Sequence, residues 1–156
     1  MAAFVFSLEP VLEHRRNLEE EAQKTLAFVQ IRLAECQGAK ERLRQSRRDT
    51  SAEMYLRLQG GMADRERVIY SNYLLALDRD LAKLAELESR IKRELDLARR
   101  RLIEAMRRRE IIEEVKKAEY RDFLKAEQME EAKLYDELAL RAFRLSQENL
   151  AGAERE

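Results

Sequence analysis

Between Leu74 and Phe123 the apolar positions recur in alternating steps of three and four: Leu74, Leu77, Leu81, Leu84, Ile91, Leu95, Ala98, Leu102, Ala105, Ile112 and Phe123. Glu88, Arg109, Lys116 and Glu119 take the remaining places in the same stripe, and charged residues fill nearly everything around it. An average spacing of 3.5 buries one narrow stripe of a helix and winds it left-handedly around a partner. Which helix serves as that partner is decided by the rest of the chain.

A second stripe precedes it. It runs through Leu8, Val11 or Leu12, Leu18, Ala22, Leu26, Val29, Leu33, Cys36 and Leu43. Beyond that it fades, because Lys40, Arg47 and Thr50 stand at seam positions and only Met54 and Leu58 resume it. Its start is readable. Ser7 as N-cap places Leu8, Glu9 and Pro10 in the first turn, where a missing amide hydrogen is harmless and a carboxylate meets the positive end of the helix dipole. Phe6 is then expected to pack on Val11 as a hydrophobic staple.

Gly60 and Gly61 are adjacent, and each costs a helix interior about 1 kcal/mol relative to Ala. They mark a C-cap and turn, with Asp64 expected as the next N-cap and Glu66 behind it. The pattern predicts helix one over about 8–58, a turn over about 59–63 and helix two over about 64–148. Two helices joined by so short a turn are antiparallel neighbours. With the turn centred near residue 62, Leu43 is expected opposite Leu81, Leu33 opposite Ile91, Leu18 opposite Ala105 and Met106, and Leu8 near Lys116. The expected fold is all-α: one long antiparallel two-helix coiled-coil hairpin, roughly 50 residues per arm and on the order of 75 Å long. Helix two outlasts helix one, and the excess carries Tyr120, Phe123, Leu124, Met129, Leu134, Tyr135, Leu138, Leu140 and Phe143. Apolar residues with no partner in the chain are expected to meet another protein.

Composition supports a seam over a globular core. Of 156 residues 40% are charged, and there are only 4 Gly, 1 Pro and no Trp, as in long helices. Lys+Arg 31 balances Asp+Glu 31, which argues against a dedicated nucleic-acid binder, since that affinity rests on unbalanced cations. The runs Arg99-Arg100-Arg101 and Arg107-Arg108-Arg109 suggest a basic region, but they interrupt the seam and are diluted by Glu104, Glu110, Glu113 and Glu114. Anchoring to an acidic protein surface is the alternative they leave open. The single Cys36 allows no internal disulfide and is expected as a small core residue facing the region of Glu88, which fits a reducing compartment. No stretch is long and apolar enough to span a bilayer, and the opening residues lack a signal peptide's form, so the expected location is cytoplasmic.

Candidate chemistry is sparse. His14 stands on a charged turn and is expected to be a solvated surface residue. The acids alternate with bases at helical spacing, which ion pairing explains. No phosphate-binding glycine loop, zinc-ligand spacing or nucleophile motif is present, so no catalytic, cofactor or metal site is expected. Around the turn, Tyr55, Tyr70 and Tyr73 either pack locally to hold the tip closed or form an exposed contact.

The opening Phe4-Val5-Phe6-Ser7-Leu8-Glu9-Pro10-Val11-Leu12-Glu13-His14-Arg15-Arg16, followed by Glu19-Glu20-Glu21-Ala22-Gln23, resembles the start of the flagellar FliJ family, with its F-x-L-x-x-V-L-x-x-R pattern, acids and Ala-Gln. Tyr120, Glu127-Gln128 and Asp136-Glu137-Leu138-Ala139, followed by Arg141 and Arg144, look like that family's C-terminal region. The resemblance implies a component of the bacterial flagellar type III export apparatus: an antiparallel coiled coil similar to the stalk subunit of rotary ATPases. Its paired ends would insert into the hexameric export ATPase, its tip region would touch the membrane export-gate protein, and it would also bind export chaperones. Carried onto this chain, the ATPase-facing residues are Phe4, Phe6, Leu8, Val11, Leu12, Arg15, Arg16, Tyr135, Leu138 and Phe143. The gate-facing patch falls at Tyr73 and Leu77, with Ser46 and Asp49 across from it where the family pattern is more apolar. These roles make the chain a monomer on its own, peripherally associated with the inner membrane through the apparatus. The competing reading is a structural coiled-coil scaffold that pairs between chains, or a secretion chaperone.

Overall fold

The computed structural model describes residues 3–153. They form an all-α helical hairpin of two helices, α1 over Glu9–Gln59 and α2 over Asp64–Ala153, with no strand among the described residues. Packing contacts gather the chain into two compact units. One holds the described residues up to Arg15 together with those from Arg108 onward, and the other is Arg16–Arg107.

In the first of these, the Glu9 N–H donates to the Phe6 carbonyl at 3.2 Å, closing a turn ahead of the helix. The Leu12 N–H donates to the Leu8 carbonyl at 2.9 Å. Leu8 therefore holds the cap position, one residue later than Ser7 was expected to. That single step decides the open choice between Val11 and Leu12: the fourth helical residue is now Leu12, whose side chain is fully buried, while Val11 is exposed. Phe6 is buried as well, so the apolar residues that fix the chain's entry are Phe6 and Leu12 instead of Phe6 and Val11.

In Arg16–Arg107 the two stripes meet. Val29, Cys36, Ile91 and Leu95 form the buried cluster, with Leu26, Leu33 and Leu84 packed against it and Leu77 and Ala98 also buried. Cross-helix pairs fix the register. Arg47 bonds Asp78, Gln37 bonds Glu88 and Arg32 bonds Glu94, each within two residues of the expected alignment. Burial of one Leu or Ile contributes about 1.5–3 kcal/mol, whereas an exposed ion pair contributes about 0.2–1 kcal/mol, so the seam sets the pairing and the charges trim it. The Cys36 thiol sits within this core, 3.6 Å from the Leu84 carbonyl it faces.

At the turn, the Gly60 N–H donates to the Leu56 and Arg57 carbonyls at 3.3 and 3.2 Å, and Gly61 takes a left-handed φ of 88°. The Arg67 N–H donates to the Ala63 carbonyl, so Ala63 holds the cap position and Asp64 stands inside the first turn, where with Glu66 it faces the positive end of the dipole. A Cβ at Gly61 would touch nothing within 4 Å, so the cost of adding one is conformational alone. Gly61→Ala is expected to destabilise by about 1 kcal/mol. Gly38 lies inside α1, where a Cβ would meet only the flexible Arg42 guanidinium at 3.5 Å, and Gly38→Ala is expected to stabilise by about 1 kcal/mol. Denaturant midpoints of the two variants should move in opposite directions; a shift of the same sign in both contradicts this turn.

Candidate functional site

Three places on the chain are candidates for function: the unpaired length of α2, the tip, and a polar break in the seam. The first belongs to the unit containing the N-terminal residues. Ahead of α1 the chain continues along α2. Glu9 bonds Lys116 at 2.5 Å, and the Lys116 ammonium lies 5.7 Å from the centre of the Phe6 ring. Phe4 packs edge-on against Tyr120 at 5.2 Å and tilted against Phe123 at 5.6 Å. The segment before the helix thus packs against two aromatic residues beyond the reach of helix one, half-burying Phe123 and leaving Tyr120 46% exposed, which moves the start of the unpaired length further along α2.

From residue 128 to residue 151 every side chain is exposed. Met129, Leu134, Tyr135, Leu138, Leu140, Phe143, Leu145 and Leu150 are among them, and Tyr135 and Phe143 leave 71% and 61% of their surface in solvent. Their placement around the helix carries more information than their number. Three residues turn a helix through about 300°, so Tyr135 and Leu138 lie within about 60° of each other, on the side that Ala142 and Leu145 continue. Phe143 is five residues on from Leu138 and about 140° away, on a second face with Leu140 and Leu150. A surface helix of a globular protein has one apolar stripe. Here the apolar residues spread over a much wider arc, about 240° of the helix, with Leu138 and Phe143 about 140° apart and Tyr135 between them.

The sequence-derived ATPase-facing residues therefore divide. Leu8, Val11 and Arg16 are exposed, Phe4 and Arg15 are half-buried, and Tyr135, Leu138 and Phe143 are exposed on the unpaired length. Phe6 and Leu12 lie in the chain's own interior, where they hold the N-terminal segment in place. Leu145 and Leu150 were not singled out from sequence; the helical angle, applied one turn further, would have found them.

At the tip, Thr50, Glu53, Ile69, Tyr70 and Tyr73 line an open cavity of about 240 Å³. The Tyr70 hydroxyl donates to Glu53 at 2.8 Å, a bond that raises the phenol's pKa above its ordinary value, and the Arg57 guanidinium sits 5.9 Å from the ring centre. The tip tyrosines thus split between the two readings. Tyr70 ties the helices together, while Tyr55 and Tyr73 are exposed, Tyr73 by 50%. Leu77, the other residue expected to face the gate, is only 5% exposed and belongs to the seam. Leu56, Val68 and Ile69, not singled out from the sequence, are exposed at this end too, and Ile69 shares the cavity with Tyr73.

Glu88 breaks the apolar seam. It is buried, and its carboxylate accepts from Lys40 at 2.5 Å, from Gln37 at 3.3 Å and pairs with Lys92 at 3.1 Å. The hydrogen bond from Lys40, then those from Lys92 and Gln37, lower its pKa from 4.5 to about 2. A carboxyl lowered on folding contributes stability that is fully present above its unfolded pKa and is lost as pH falls through the folded one. The thermal midpoint is therefore expected to drop as pH goes from about 4.5 to about 2, and Glu88→Gln should flatten that part of the profile; an unchanged slope in the variant assigns the acid sensitivity elsewhere. Held by an ammonium from the facing helix, the carboxylate ties one position of α2 to one of α1 and so helps fix which residues face each other. Among the described residues no group of acids, His and Cys is placed to hold a metal, and no helix is long and apolar enough to cross a membrane.

Residues 4–148 match the model of a protein family described as flagellar FliJ protein. No curated protein and no solved structure matches the chain.

Proposed function

The chain belongs to the flagellar FliJ family, which serves the flagellar protein export apparatus, and from that premise we propose that it is a stalk-like coiled coil that binds the hexameric export ATPase and couples it to the membrane export gate and to export chaperones. The observation that carries the reading is the bare length of α2 with apolar residues spread over about two-thirds of its circumference. A partner lying in a one-sided groove needs one stripe; a partner that surrounds a helix, as a ring surrounds an axle, uses the whole arc. Tyr135, Leu138 and Leu145 would meet one wall, Leu140, Phe143 and Leu150 the other, with Leu8, Val11, Arg15 and Arg16 contributing from the N-terminal side. The tip surface of Tyr73, Ile69 and Leu56 suits a second contact, with the gate protein.

The mechanism involves no covalent chemistry. A helix gripped on two faces transmits orientation to whatever holds its other end, and the chain acts by position. In this reading it works in the cytoplasm, peripheral to the inner membrane, as a monomer bound to its partners. The test is to add the purified chain to the cognate export ATPase and follow hydrolysis and hexamer formation. A rise in either is expected; a folded chain that changes neither defeats the proposal. The scaffold reading, with helices paired between chains, predicts an obligate dimer in sedimentation, where the hairpin predicts a monomer.

A further inference from the structure

On α2, Arg93, Arg100 and Arg107 are spaced seven apart. Arg93 is two residues on from the buried Ile91, which puts the series on the side of the helix facing away from the seam. Seven-residue steps drift only about 20° each, so the three guanidinium groups form one straight stripe, about 21 Å long. All three are exposed and none of them is in an ion pair among the described residues, Arg93 donating only to the Ser89 carbonyl of its own helix at 3.4 Å, although their neighbours Arg90 and Arg99 bond Glu86 and Asp96. Leu97 and Ile103 flank the stripe on either side, each about half exposed. The seam face uses the same heptad spacing to hold α1; this face has the spacing and nothing on it.

We propose that the stripe of Arg93, Leu97, Arg100, Ile103 and Arg107 is a docking surface for an acidic amphipathic helix of a partner protein. The occupant follows from the charge and the period. Three cations at heptad spacing with no ion-pair partner are complemented by carboxylates at heptad spacing, and the apolar residues that flank them by apolar residues beside those carboxylates on the incoming helix. A duplex would use the cations but leave Leu97 and Ile103 against water, and it matches neither the period nor the balanced charge of the chain. The surface lies wholly within Arg16–Arg107 and shares no residue with the unpaired length of α2 proposed to meet the ATPase.

The experiment uses the full chain and a synthetic 21-residue helical peptide with Glu at every seventh position and Leu four places after each. Binding is followed by titration calorimetry, with a scrambled peptide of identical composition and a short DNA duplex in parallel. The ordered peptide is expected to bind, and Arg93→Glu/Arg100→Glu/Arg107→Glu to weaken it at least about tenfold, with helical content unchanged by circular dichroism. The same triple variant should gain binding to a peptide in which Lys replaces each Glu, a rescue that a merely damaged protein cannot give. Equal binding of the scrambled peptide, tighter binding of the duplex, or no binding of the ordered peptide overturns the proposal. So does self-association of the chain that the triple variant abolishes, since the occupant is then a second copy.

Discussion

Ile91→Ala is expected to lower the stability of Arg16–Arg107 by about 2–4 kcal/mol, while Leu138→Ala changes it by less than about 0.5 kcal/mol. Both are large-to-small changes on the same helix. They differ in what surrounds them. Ile91 is 2% exposed among Val29, Cys36 and Leu95, so shortening it removes apolar contact and leaves a void that the facing helix must close. A two-helix seam has solvent on either flank, so the void collapses or hydrates more easily than one inside a globular core, which places the cost in the lower part of the usual range. Leu138 is exposed and loses nothing it had in the free chain. Urea unfolding of both variants, followed by circular dichroism, checks the contrast. A midpoint for Ile91→Ala equal to that of the parent would mean that Val29 and Leu95 are not its neighbours and the register is wrong.

The seam was legible because the physics that makes it is periodic. Of the positions read from the sequence between Leu74 and Phe123, all but Glu119 are buried or half-buried. The pairs Arg47–Asp78, Gln37–Glu88 and Arg32–Glu94 fell within two residues of a register read from one glycine pair, because a short turn leaves two helices little freedom to slide. What the sequence did not reveal depended on less periodic causes. Helix α1 begins one residue after the expected cap because a turn closed by the Phe6 carbonyl precedes it, and that shift exchanged Val11 for Leu12 in the interior. The reach of Phe4 to Tyr120 and Phe123 comes from an extended segment, for which helical spacing gives no rule. In the same way, Phe6, Leu12 and Leu77 read equally well as contacts for a partner and as core, since an apolar residue near a helix end carries no mark of which it serves; only its burial separates the two. Glu88 at a seam position was visible as a break, but its purpose depended on Lys40 standing opposite and Gln37 and Lys92 within reach, facts of geometry.

Leu138→Glu and Phe143→Glu are each expected to reduce the chain's effect on the export ATPase at least about tenfold, with thermal stability and helical content close to the parent's. Neither side chain is packed in the free chain, so a carboxylate at either place stays in water and the fold is not taxed. In the complex the same carboxylate is carried into an apolar wall without a partner, and truncation of a buried anchor alone commonly costs 2 kcal/mol or more. The two variants together are more informative than either. If both lose the effect, the partner grips two faces about 140° apart and must surround the helix. If only Leu138→Glu loses it, the partner is a groove on the side of Tyr135 and Leu145, and the second stripe of Leu140, Phe143 and Leu150 serves something else. If neither does, the unpaired length is not the ATPase contact, and the N-terminal side at Val11 and Arg16 is the place to alter next. Unfolding by either variant would mean instead that the bare length of α2 packs internally, which the exposure of residues 128–151 speaks against.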